Sequence, residues 1–164
     1  MAEREVVLSA DMPIDVQRAI ELLGNQEKIF YQMLGKLEKL SLNPAMIDIA
    51  EAINEQDFNK YKTKVHSLKG ASGYIGASNL HYSCYHIQEH FYVGNYQEML
   101  ELYPLLVESA IEFKIESRNI IQRHKDGHQA VLMPDVFTCP LADGYRIQQH
   151  DKKFLCLKND QSSK

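Results

Sequence analysis

Residues 57–76 read DFNKYKTKVHSLKGASGYIG, and the spacing within this stretch decides how the chain folds. Phe58, Tyr61, Val65, Leu68, Ser72 and Ile75 recur at steps of three and four, the stripe that one side of an α-helix turns toward a core. At about 100° per residue, the stripe is centred roughly 130° around the helix from His66, while Lys69, Gly70 and Gly73 fall within about 60° of that histidine. His66 therefore belongs to the solvent side, and Gly76 marks the break.

Working outward, the same helical period continues in both directions. Met12-Pro13-Ile14 places a proline where a first helical turn tolerates one, and Ile14, Ala19, Leu22 and Leu23 form a short apolar face ending at Gly24. Asn25 is placed to cap a second helix, whose stripe of Ile29, Phe30, Met33, Leu34, Leu37 and Leu40 runs to Ser41-Leu42-Asn43-Pro44. Residues 45–53 continue as a helical segment, packed obliquely or merging with the next. Beyond Gly76, Ser78 is placed to cap a helix carrying Leu80, Cys84, Ile87 and Phe91, which Gly94 stops. Asn95 and Glu98 have capping-box spacing ahead of Met99, Leu102, Leu106, Ala110, Phe113 and Ile120, with Pro104 expected to kink or divide that last helix. Short connections between long amphipathic helices predict an all-α antiparallel up-down four-helix bundle over residues 12–125, with an additional short N-terminal helix.

From residue 126 to 164 the pattern changes. Alternation in Tyr145-Arg146-Ile147-Gln148 and Phe154-Leu155-Cys156-Leu157 flanks a polar stretch, compatible with a small hairpin strapped over the bundle or with a partly ordered C-terminal extension.

The composition excludes several classes of function. At 164 residues, 45% hydrophobic and 24% charged, the chain is neither disordered overall nor a membrane bundle. Eighteen basic against 22 acidic residues do not supply the cationic excess that nucleic-acid binding needs, so the expected partners are proteins. Three cysteines without paired spacing argue against a disulfide framework or a closed zinc site, and favour a reducing compartment. Residues 1–11 contain no signal-peptide apolar region, and no window reaches 18 apolar residues, so a cytoplasmic or nuclear location away from membranes is expected. His86 and His90 share a helix face at i, i+4, but His81 lies on a different row and no third metal ligand follows.

His66 and its surroundings carry the chemistry. Gly70 and Gly73 each cost about 0.5–1 kcal/mol relative to alanine inside a helix. Clearing side chains from beside an imidazole opens its ring to a large partner, which offsets that cost. Neutral imidazole is a nucleophile near pH 7, and Lys69, one turn on, supplies a positive charge for an anion formed on the ring. On the next helix, the row His81, Tyr85, Gln88 and Tyr92 lies one residue beyond the buried stripe and so borders a neighbouring helix. From there the Gln88 amide oxygen is placed to accept from Nδ1–H and leave Nε2 free.

His66-x-x-Lys69-Gly70, with Ser72, Gly76-Ala77, Leu80, Cys84 and Gln88, is similar to the signature of histidine-containing phosphotransfer (HPt) domains of multistep two-component phosphorelays. The match is close over residues 58–91 and extends in layout over 12–125. The resemblance implies that His66 takes a phosphoryl group from the aspartate of one receiver domain and passes it to that of a response regulator. Lys69 would stabilise the charge, Gly70 would give steric access, and Gln88 would orient the imidazole. It further implies a monomeric carrier without kinase activity of its own, without a cofactor, and with Mg²⁺ held by the receiver. Ala71 departs from the serine common at that position. The docking surface is expected around His66, with Met12, Ile14 and Tyr74 as candidates. The alternative reading is a receiver-binding or other protein-interaction module that carries no phosphate. No glycine-rich nucleotide loop supports autonomous ATP use.

Overall fold

The structure, a computed structural model, describes residues 12–126, 141–150 and 153–159. Helix α1 spans Val16–Leu22 and α2 spans Glu27–Lys36. Next come a π-helical turn at Leu37–Leu42 and α3 at Asn43–Glu55. Helices α4 (Phe58–Tyr74), α5 (Ser78–Tyr92) and α6 (Tyr96–Asp126) follow, then strands β1 (Tyr145–His150) and β2 (Lys153–Lys158). The rod made by α2, the π turn and α3 forms an antiparallel four-helix bundle with α4, α5 and α6. The short α1 is added at one end.

The break expected at Ser41–Pro44 does not occur. Pro44 has no N–H to offer the preceding turn, and the chain responds by winding one residue wider: Asn43 N–H donates to Glu38 C=O, an i to i−5 bond. The helix thus passes through the proline, and residues 45–53 merge with the segment before them rather than with the next helix, from which Gln56 and Asp57 separate them. The π turn also places Glu38 inside the bundle, where its carboxylate meets both Lys114 and Arg118 of α6. Lys114 is itself buried and donates to Asn43 Oδ1 at 3.0 Å.

Two of the expected caps do not form, and the residues at those N-cap positions, Gln26 and Ala77, make no side-chain cap hydrogen bond. Asn25 has φ +62° and turns the chain, so that Gln26 precedes α2. Ser78 is the first residue of α5, with Ala77 before it. Asp57 accepts from Lys60 N at 3.0 Å and opens α4, after Gln56 in the left-handed region has closed α3. The α4 stripe is buried from Tyr61 through Val65, Leu68 and Ser72 to Ile75, and Tyr61 OH donates to Met99 C=O at 2.9 Å to join α4 to α6.

Gly76 does more than stop α4. Its φ is +73°, and a β-carbon there would lie 2.6 Å from Asp15 O and 2.8 Å from Ala19 Cβ. Asp15 N–H donates to Gly76 C=O at 2.7 Å and Asn79 N–H to Met12 C=O at 3.1 Å, so the segment entering α1 is laced to the α4–α5 turn. Ile14, expected on an exposed docking patch, is instead buried in this junction, because the lacing turns it into the core. Met12 is half-buried and Tyr74 is exposed.

Helix α6 continues through Pro104 as one helix, so of the expected kink or division the division does not occur. Proline frees the carbonyl four residues earlier, here that of Leu100, and Tyr145 OH of the hairpin donates to it at 3.2 Å. Strands β1 and β2 pair antiparallel from Tyr145 opposite Lys158 to His150 opposite Lys153. The hairpin packs on α6 through buried Phe154 and Cys156, and three main-chain N–H groups of the hairpin and the segment entering it find side-chain acceptors on the bundle. Ala142 donates to Tyr103 OH, Asp143 to Asn54 Oδ1, and Cys156 to Glu108 Oε1. Among the described residues, no helix is long and apolar enough to cross a membrane.

Candidate functional site on the α4–α5 seam

Helices α4 and α5 cross with two matching rows facing each other. On α4 the row is Lys62, His66, Lys69 and Gly73; on α5, running the opposite way, it is Tyr92 with Phe91, then Gln88, Tyr85 and His81. Both rows step by four, three and four, so antiparallel packing brings them into register residue by residue.

His66 is exposed, and its Nδ1 lies 3.2 Å from Gln88 Oε1. Gln88 is buried, and its Nε2 donates to Tyr92 OH at 3.2 Å. With the amide turned this way, the carbonyl oxygen faces the ring and accepts Nδ1–H. Nε2 then keeps its lone pair and has no partner among the described residues.

Lys69 is half-exposed, and its ammonium lies over the ring of Tyr85, 5.6 Å from the centroid. Its main-chain carbonyl is gripped from two sides, by Ser72 Oγ at 3.1 Å and by His81 Nδ1 at 3.0 Å. His81 is buried beneath this contact, so the histidine that shares no row with His86 and His90 anchors α5 to α4. Burial lowers the pKa of His81; its hydrogen bond to the Lys69 carbonyl opposes that shift, and the Lys69 ammonium reinforces it.

The two glycines after His66 have different reasons. A β-carbon on Gly70 would meet nothing within 4 Å, so the chain's own packing does not require glycine there. On Gly73 it would stand 3.1 Å from His81 Nδ1 and 3.3 Å from Cε1. Gly73 is buried, and it serves the close approach of α5 rather than open access to His66. The sequence placed both glycines near His66 on the helical wheel, but the wheel does not show which side α5 occupies.

Lys62 was not singled out from the sequence. It lies one turn before His66, with its ammonium 5.1 Å from the centroid of the Phe91 ring. Its signal was available as the i−4 neighbour of His66, on the same row as Lys69. Cys84 is fully buried in the core, and burial holds its thiol far above the usual range.

The model of the Hpt domain matches residues 37–123, more than half of the chain and all of the α4–α5 seam. The chain belongs to the Hpt domain family. Hpt domains are histidine phosphocarriers of phosphorelays that work with receiver domains, and the helical bundle here has the architecture this requires. No curated protein and no solved structure gave a match. The Hpt match begins at the π turn and ends in α6, so α1, α2 and the hairpin lie outside it.

Proposed function

We propose that His66 is the phosphoryl-carrying residue of this Hpt domain, accepting from a receiver aspartate and donating to the aspartate of a response regulator. The observation that carries this reading is the 3.2 Å contact of His66 Nδ1 with Gln88 Oε1 on an otherwise exposed ring. In the transfer, the Nε2 lone pair forms the N–P bond while the P–O bond to the aspartate breaks and its electron pair returns to the carboxylate. Nδ1 keeps its proton throughout. The phosphorylated ring therefore carries a positive charge that the Gln88 carbonyl oxygen stabilises, and it remains a good leaving group for the return step.

Lys69 supplies charge to the phosphoryl oxygens, and Gly70 leaves the space through which the partner's loops approach. Mg²⁺ and the acidic pocket belong to the receiver, and this chain supplies nucleophile, charge and docking surface as a monomer without ATP-dependent activity. A cytoplasmic or nuclear setting follows from such partners.

The test is incubation of the full chain with a receiver domain phosphorylated by acetyl phosphate, following acid-labile, base-stable label. Wild type should take up label, and His66→Gln should not. Undiminished label on His66→Gln would overturn the assignment, and stable receiver binding without label on wild type would favour a docking module.

A further inference from the structure

The cations of α4 are treated differently on its two sides. Toward α3, Lys60 pairs with Glu51 at 3.3 Å and Lys64 with Asp48 at 3.2 Å, so each ammonium is matched by a carboxylate. Toward α5, Lys62 and Lys69 have no carboxylate within ion-pair distance among the described residues, and each lies over an aromatic ring instead. These are the two cations that bracket His66, one turn before it and one turn after. In a chain of net charge −4, with 22 acidic residues, neither of the two cations beside His66 is matched by a carboxylate among the described residues.

A ring face and a carboxylate do different things to an ammonium. A carboxylate fixes it and cancels its field; a ring restrains it weakly through the quadrupole and leaves the positive charge available to a third group. We propose that Tyr85, with Phe91 as its counterpart, is a positioning residue that holds Lys69, and Phe91 Lys62, un-neutralised on either side of His66, so that both ammonium groups face an incoming phosphoryl group. This rests on His66 as the carrier and adds Lys62 as a second electrostatic group for the transfer. Tyr85 is the better residue to test, being 37% exposed, whereas Phe91 also packs against the core.

The experiment measures phosphotransfer to the full chain from an acetyl-phosphate-labelled receiver at about 25 and 250 mM salt. Tyr85→Leu should slow transfer about two- to fivefold, the fold-change matching the strength of an exposed ammonium–ring contact. Tyr85→Phe, which keeps the ring, should restore the wild-type rate, and Tyr85→Glu should slow transfer further than Leu by cancelling the charge. In a Lys69→Gln background, Tyr85→Leu should have no additional effect. Lys62→Gln should lower the rate mainly at low salt, where a charge acting on the encounter is least screened. An equal Tyr85→Leu penalty with and without Lys69, or no penalty at all, would overturn the proposal. Absence of label on wild type would instead remove the carrier reading beneath it. Ring-current shifts of the Lys69 ε-methylene protons, present in wild type and Tyr85→Phe and lost in Tyr85→Leu, check the contact without any transfer reaction; their absence in wild type would also overturn it.

Discussion

The hydroxyl of Tyr145 donates to the carbonyl of Leu100, the group that Pro104 leaves without its helical partner. An acceptor that the helix would otherwise leave unpaired is satisfied by a residue 45 positions away. Tyr145→Phe should cost about 1 kcal/mol in chemical denaturation, the usual worth of such a bond. In a Pro104→Ala background the cost should shrink, because the main-chain N–H restored at that position then serves Leu100; an unchanged cost would mean that the hydroxyl acts elsewhere.

The two glycines that follow His66 should respond to alanine with opposite signs. Gly70→Ala adds a β-carbon in open space and should stabilise the fold by about 0.5–1 kcal/mol through helix propensity, while slowing transfer from a receiver. Gly73→Ala meets the anchored His81 ring, and an overpacking cost of about 1–3 kcal/mol should exceed the helical gain, giving a net loss. Thermal denaturation of both variants, with His81→Ala added to the second to relieve the clash, decides the point.

Gln88→Leu removes the acceptor of Nδ1–H while keeping most of the side-chain volume. The His66 tautomer balance, read by ¹⁵N NMR, should move toward the Nε2-protonated form, and transfer should fall about tenfold, corresponding to one lost hydrogen bond. Tyr92→Phe should give a smaller change of the same direction.

His81 makes stability depend on pH. Its folded pKa lies below the ordinary 6.5, because burial disfavours the charged ring, so the unfolded chain binds the proton more readily. The contribution of neutral His81 is therefore complete above about pH 6.5 and is lost as pH falls from there through the folded value. Denaturation midpoints of wild type and His81→Gln, measured from pH 7.5 to 5, should converge on the acidic side; parallel curves would show that another group controls the slope.

Glu38 sits with Lys114 and Arg118 where the π turn meets α6. Glu38→Ala takes this carboxylate from the buried Lys114 ammonium and should cost about 3–5 kcal/mol, whereas replacing both Glu38 and Lys114 by Met should recover much of that loss. Urea denaturation of the single and double variants tests the coupling.

Much of this arrangement was legible from spacing. The stripe from Phe58 to Ile75 identified the buried side of α4, the row His81, Tyr85, Gln88 and Tyr92 identified the α5 side that borders a neighbour, and strand-like alternation marked both arms of the hairpin. Three features were not legible, because each depends on a partner distant in sequence or on a change of helical winding. Pro44 read as the end of one helical stripe and Pro104 as a kink or a division, and only the i to i−5 bond at Glu38 and the Tyr145 hydroxyl show how helix continues through each. Gly73 looked like clearance for His66 until His81 occupied the space beside it. Lys62 shows on its own helix only as the i−4 neighbour of His66, and its contact with Phe91 depends on how α5 packs.

The lacing of Met12 and Asp15 to the α4–α5 turn bears on how small a working piece can be. All the α5 side chains that meet the His66 row sit on one helix, so a slip of α5 along α4 would misplace them together. The turn between the two helices controls that slip, and it is fastened by Asp15 N–H on Gly76 and by Asn79 N–H on Met12. A fragment cut to residues 37–123 would retain every group on the seam yet lose this fastening, along with α2 and its buried Phe30 and Leu34. A piece that keeps both hydrogen bonds of this fastening must begin no later than Met12.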